Sequence, residues 1–101
     1  MMNFQSTRDA NQAKFTSAQV IRKGLADDGG LFVPESIPTL SYQEINDLCS
    51  LDYAHRAAFI LGKYLTDYSH EELLEDCQKA YREDSFVGGA APLHHIRDNV
   101  Y

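Results

Sequence analysis

The amino-acid sequence predicts an α+β fold that is mostly helical, a small module of about four helices with two or three short strands. Three observations carry this. Apolar residues recur at helical spacing in several separate stretches. Two Ser-x-x-Glu boxes, Ser41 with Glu44 and Ser69 with Glu72, mark helix starts, because each side chain satisfies the other's backbone N–H. Between them and the N-terminus lies Asp27-Asp28-Gly29-Gly30, a turn sequence, running into the β-type residues Leu31-Phe32-Val33.

Taken in order, Asn3-Phe4-Gln5-Ser6-Thr7 alternates weakly and reads as a short strand, and Asp9 to Lys14 as polar loop. From Phe15 to Leu25 the residues Ala18, Val20, Ile21 and Leu25 fall on one helical face, with Thr16 or Ser17 as cap and Gly24 near the end. After the Asp27–Gly30 turn comes a strand, Leu31 to Val33, which Pro34 is expected to stop because it cannot donate to a ladder. The next helix opens at Ser41 and turns Tyr42, Ile45, Leu48 and Cys49 inward. Another starts at Asp52 and runs to about Leu65, its inner stripe being Ala54, Ala57, Ala58, Leu61 and Leu65. Small alanines there let a neighbouring helix approach closely. The last opens at Ser69 and carries Leu73, Leu74, Cys77, Ala80 and Tyr81 inward. Its acids gather at the start, while Lys79 and Arg82 fall near the end, as the helix dipole favours.

A chain of 101 residues makes one ordinary domain. With 44% apolar and 24% charged residues, it is globular in composition rather than disordered. A net charge of −6 argues against a nucleic-acid binder, which needs a basic face to neutralise phosphates. No uncharged apolar stretch approaches the roughly 20 residues of a membrane span, and Met1–Arg8 has no signal-peptide character. Cys49 and Cys77 show no CxxC pattern and read as two buried thiols of a reducing, cytoplasmic compartment, with a disulfide as the alternative.

Beyond Asp84 the sequence changes character. Gly88-Gly89 and small residues are linker chemistry, Pro92 to Ile96 reads as extended, Asp98-Asn99 as a turn, and Val100-Tyr101 as the start of another strand. We therefore divide the chain into a folded part, residues 1–84, and a linker with a truncated hairpin, residues 85–101. A hairpin cut at that point leaves unpaired backbone groups, so the chain is expected to be the front piece of a longer protein.

The residues that could carry chemistry are few. His94 and His95 would point to opposite faces of a strand, and His55 and His70 have no partner at helical spacing, so no metal site is expected. Glu71, Glu72, Glu75 and Asp76 read as a solvated face, not a general acid/base pair. Asp28-Gly29-Gly30 precedes a strand and lacks the spacing of a phosphate loop. Lys14, Lys23, Lys63 and Lys79 all read as exposed, and none sits in the apolar frame that keeps an amine uncharged for Schiff-base work. That leaves no catalytic residue. Ser6-Thr7-Arg8, just past a strand end, joins two hydroxyls to a guanidinium that could bind an anion or pin a neighbouring domain. The competing reading is a surface arginine in an internal ion pair.

These features together resemble the amino-terminal domain of the threonine synthase family, pyridoxal-phosphate enzymes of fold type II. The resemblance rests on Ser6-Thr7-Arg8, on Phe15 to Ile21, and on the long, specific run from Gly24 to Glu35. It continues through Ile37-Pro38, the Ser41 helix, and Pro92-Leu93 to Asp98-Asn99-Val100-Tyr101, so that it spans essentially the whole chain. The glycine usual after Arg8 is absent, and Asp9 to Gln12 forms a longer polar stretch. The resemblance implies a complete enzyme that converts O-phospho-L-homoserine and water to L-threonine and phosphate. The cofactor lysine and the glycine-rich phosphate loop of the family would lie beyond Tyr101, in an α/β cofactor domain that would be this module's partner. The expectation is that these residues bind no cofactor and flank the active site, with Ser6, Thr7 and Arg8 as substrate-side candidates. Two other readings stand beside it, a stand-alone acidic helical interaction domain and the front of a threonine-synthase-like phospholyase.

Overall fold

A computed structural model describes all residues, Met1 to Tyr101. The element order is β1 (Phe4–Ser6), α1 (Ser17–Lys23), β2 (Phe32–Pro34), α2 (Tyr42–Leu48), α3 (Tyr53–Gly62) and α4 (His70–Ala80). This is the mostly helical α+β module expected, with four helices and a two-stranded antiparallel sheet. No helix is long and apolar enough to cross a membrane.

The sheet pairs Phe4 with Pro34, Gln5 with Val33 and Ser6 with Phe32. Pro34 is the last residue of β2 and does not end the strand before itself, and the ladder explains why. Phe4 turns its N–H and C=O the other way, to Phe15, at 2.8 and 2.9 Å, so nothing is asked of the missing proline N–H. The Asp9–Lys14 stretch is indeed a loop, folded over the Asp9 carboxylate, which accepts from the N–H groups of Asn11 and Ala13.

Each helix begins on a side-chain cap. Ser41 and Ser69 form the expected boxes with Glu44 and Glu72, and Asp52 accepts from the N–H of His55. Thr16, rather than Ser17, caps α1, with Gln19 completing a further box, and Gly24 closes the helix at φ 79°. The α3 helix stops at Gly62 and not near Leu65. Residues 63–65 tighten into a turn in which Leu65 N–H bonds Leu61 C=O at 2.7 Å.

The helical core lies between α3 and α4. Ala58 is fully buried against Leu73 and Cys77, with Ala54, Ala57, Leu61, Leu65, Leu74 and Tyr81 packed around them. The expected inner stripes of both helices are thus correct except for Ala80, which is exposed on the wall of a groove it shares with Ile21 and Leu61. Tyr81 then joins the end of α4 to the start of α3 by an edge contact with Tyr53, ring centres 4.8 Å apart, and stacks on Phe86.

The stripes of α1 and α2 are less buried than their spacing predicts. Val20 is buried, but Ala18, Ile21 and Leu25 are exposed. In α2, Tyr42, Ile45 and Cys49 are exposed and only Leu48 is half-buried. The α2 helix is held by polar anchors: Arg56 of α3 donates to the carbonyls of Leu48 and Cys49, and Lys63 pairs with Glu44 at 2.5 Å. A cation set against the last carbonyls of a helix fixes its end without burying its face.

Past Asp84 the chain is exposed almost throughout. The expected turn at Asp98-Asn99 is present, bridging Arg97 to Val100 with Asp98 at φ 45°, and the Ile96 N–H bonds Val100 C=O at 2.9 Å, but no named strand forms there.

Candidate functional site

The Ser6-Thr7-Arg8 segment leaves β1 directly beside the turn that feeds β2, because the two strands are antiparallel neighbours. The backbone N–H of Thr7 bonds Leu31 C=O at 2.9 Å, and the Leu31 N–H returns to the Thr7 hydroxyl at 3.1 Å. One step further in, the buried Ser6 hydroxyl donates to Asp28 Oδ1 at 2.7 Å and accepts the N–H of Arg8 at 3.2 Å. The same Asp28 oxygen accepts the N–H of Gly30 at 2.8 Å. Two segments 22 residues apart in sequence are therefore clasped around one carboxylate oxygen.

The clasp explains the two glycines in that turn. A Cβ on Gly30 would stand 2.2 Å from the Ser6 hydroxyl, and one on Gly29, already at φ 78°, 3.0 Å from a guanidinium nitrogen of Arg8. It also sets the charge state of Asp28. The Ser6 hydroxyl and then the Gly30 N–H hold its carboxyl below the usual value, against a smaller opposing cost of desolvation, with the Arg8 charge assisting.

Arg8 itself is exposed, and its guanidinium makes no ion pair and no hydrogen bond. The alternative of an internal ion pair is not seen; the neighbouring Asp28 directs its Oδ1 to Ser6 and Gly30. Ser6 serves as a structural donor in the clasp and Thr7 as an acceptor in the ladder. Of the three candidates, Arg8 is left with its whole guanidinium fork uncommitted, and Thr7 with its hydroxyl hydrogen. A recess of about 160 Å³ lies beside Ser6 and Asp28, lined also by Phe15, Phe32, Lys23 and Asp27.

The lysines are all engaged. Lys14 pairs with Glu35 at 2.9 Å, Lys23 with Asp27 at 2.8 Å, Lys63 with Glu44 at 2.5 Å and Lys79 with Glu75 at 2.6 Å. Lys63 is half-buried, not exposed as its sequence context suggests, because it lies between Glu44 and the face of Phe59. Amines held as charged partners of carboxylates do not fit the role of a nucleophile. An apolar groove of about 260 Å³ runs between Ile21, Leu61, Leu65, Tyr68 and Tyr81, and none of the candidate residues lines it.

Histidines and cysteines stand apart. His55 bonds Asp52 at 2.7 Å, His95 contacts the Asp98 carbonyl, and no three metal-binding side chains converge. Cys77 is buried, and desolvation followed by the Asp76 charge pushes its thiol above the usual value. Cys49 is exposed, contrary to the expectation of two buried thiols, because α2 shows its apolar face to solvent.

No local pattern marks Asp28 as the hub of the clasp; only the pairing of β1 with β2 brings it to Ser6. Nor does any such pattern mark Asp67, which accepts the hydroxyl of the fully buried Ser17 and, at 2.9 Å, the N–H of Ala18.

Comparison with known proteins agrees with this architecture. A family profile described as "Threonine synthase N terminus" matches residues 3–81. Threonine synthase of Escherichia coli is 33% identical over 98% of this chain, and that of Corynebacterium glutamicum 29% over 99%. Threonine synthase-like 1 of Homo sapiens is 38% identical over 88% of the chain. The crystal structure of Escherichia coli threonine synthase superposes with a TM-score of 0.79 at 27% identity, covering 98% of this chain. The chain spans 22% of the length of the two bacterial enzymes and 12% of the human relative. It belongs to the threonine synthase family, and corresponds to that family's amino-terminal domain.

Proposed function

We propose that this chain serves as the amino-terminal, substrate-side flank of a pyridoxal-phosphate-dependent lyase that converts O-phospho-L-homoserine and water to L-threonine and phosphate. Bound in its own α/β domain, the cofactor supplies the electron sink for the chemistry. The residues of this chain do not fit that group, since all four lysines are committed to carboxylates, and no step is assigned to them. Residues 1–84 act as the module and 85–101 as the passage to the cofactor domain, its intramolecular partner in a cytoplasmic enzyme. The observation that carries the reading is the match over residues 3–81, joined to the free guanidinium of Arg8. An exposed, always-charged fork suits a substrate that bears both a phosphate and a carboxylate.

The test is direct. Full-length protein supplied with pyridoxal phosphate and O-phospho-L-homoserine is expected to release phosphate and threonine in equal amounts. Absence of both products contradicts the reading.

A second reading keeps the same architecture with a different outcome, the degradation of the phosphorylated substrate without threonine formation. The chain is 38% identical to human threonine synthase-like 1 and 33% to the Escherichia coli enzyme, so its relatives include a protein named as synthase-like rather than as a synthase. Phosphate release without threonine in the same assay would support this second reading.

A further inference from the structure

We infer that Asp28 is a positioning residue for Arg8, fixing the Ser6–Arg8 loop so that the guanidinium projects as a receptor for a substrate oxyanion; this rests on the reading of the chain as a substrate-side flank. Three features of the clasp point the same way.

First, the constraint falls on the backbone of Arg8, not on its charge. Ser6 Oγ accepts the Arg8 N–H at 3.2 Å while donating to Asp28 Oδ1 at 2.7 Å. The chain direction at Arg8 is thereby tied to a carboxylate anchored on the other side by Gly30 N–H at 2.8 Å. Second, the half of the turn nearest Arg8 is glycine, and a Cβ on Gly29 would stand 3.0 Å from Arg8 Nη1. The guanidinium therefore lies close over the Gly29 backbone, yet it makes no hydrogen bond or ion pair there. Third, the one carboxylate beside it has its inward oxygen spent on two donors, and no Arg8–Asp28 ion pair forms. A loop that fixes an arginine's backbone while leaving its donor fork unsatisfied is pre-organised for a ligand, and so loses less freedom on binding. The chemistry that matches the fork is a paired oxyanion, phosphate or carboxylate.

The experiment uses the full-length enzyme and a double-mutant cycle on Arg8→Ala and Asp28→Ala, with Asp28→Asn as the conservative variant. Asparagine keeps the Oδ1 acceptor for both Ser6 and Gly30. Each alanine variant is expected to raise KM by roughly tenfold, the loss of one charge-assisted contact, with kcat changed less than about twofold. The double variant should be no worse than Arg8→Ala alone, and Asp28→Asn should restore near-normal KM. Binding of inorganic phosphate, read by calorimetry without turnover, assigns the oxyanion. Weaker phosphate binding in both alanine variants identifies a phosphate subsite, and unchanged phosphate binding with raised KM identifies the carboxylate. Additive KM effects, or an active enzyme whose KM and phosphate binding ignore both substitutions, overturn the inference. Failure of the broader reading shows itself differently, as a wild-type enzyme that forms no threonine.

Discussion

The hydroxyl of Ser17, fully buried at the start of α1, donates to the carboxylate of Asp67, fifty residues away in the turn before α4. The other Asp67 oxygen accepts the N–H of Ala18 at 2.9 Å. One side chain thus caps α1 and ties it to the α3–α4 pair, which shares little apolar contact with it. With Ile21 and Leu25 exposed, this polar link carries much of the docking of α1.

Replacing Ser17 by Ala should therefore cost about 1.5–3 kcal/mol, the range of a buried hydrogen bond to a charged acceptor. The same change at Ser36, whose hydroxyl makes only a long contact to the Met2 sulfur, should cost close to nothing. Denaturant midpoints of the two variants make the comparison. Equal midpoints would mean that α1 docks by other means.

The pH dependence follows from the same carboxylate and its counterparts. Burial opposes the ionisation of Asp67, but the Ser17 hydroxyl and the Ala18 N–H outweigh it and hold its carboxyl below the usual 3.8. Asp28, Glu35 and Glu44 are lowered as well, chiefly by hydrogen bonds from Ser6, Lys14 and Lys63. A carboxyl depressed in the folded chain stabilises it above the unfolded value and loses that contribution as pH falls through the folded one. Stability should be level above about pH 5 and decline below the ordinary values of 3.8 and 4.5. Thermal melts at pH 3 to 7 check the profile, and Asp67→Asn should flatten its acid limb.

Gly30 gives a steric test of the clasp. Gly30→Ala places a methyl 2.2 Å from the Ser6 hydroxyl and should destabilise by roughly 1–3 kcal/mol, as overpacking does. Adding Ser6→Ala removes the nearest obstacle and should recover part of the loss, although Asp28 Oδ1 at 2.9 Å and the Arg8 nitrogen at 3.1 Å remain. A double variant less stable than the sum of the singles would contradict the geometry.

The two thiols should behave differently. Cys49, exposed at the end of α2, is expected to react with a thiol reagent in the native state, while Cys77, buried with its thiol pushed up, should react only on unfolding. Simultaneous labelling of both would place α4 in a looser packing than described.

Legibility in the sequence followed sequence distance. The caps at Ser41, Asp52 and Ser69 span three residues each and were readable, as was the alanine stripe of α3, because helix periodicity is local. Pro34 ends β2 from inside the strand rather than just after it, because which way a strand residue turns its N–H depends on the register of its partner, set by Phe4. The exposure of the α2 face has a related cause. Periodicity shows that a face is apolar, not that something covers it, and Arg56 and Lys63 fix that helix by its polar ends. Of the candidate site, the sequence marked Arg8 but not Asp28, whose role exists only once β1 and β2 pair.

The most direct test is to reduce the full-length enzyme with borohydride in the presence of pyridoxal phosphate and map the labelled peptide. The account predicts one covalently modified lysine, lying beyond Tyr101. Label on Lys14, Lys23, Lys63 or Lys79 would contradict it, because it would place the reacting amine inside the module described as scaffold and substrate flank.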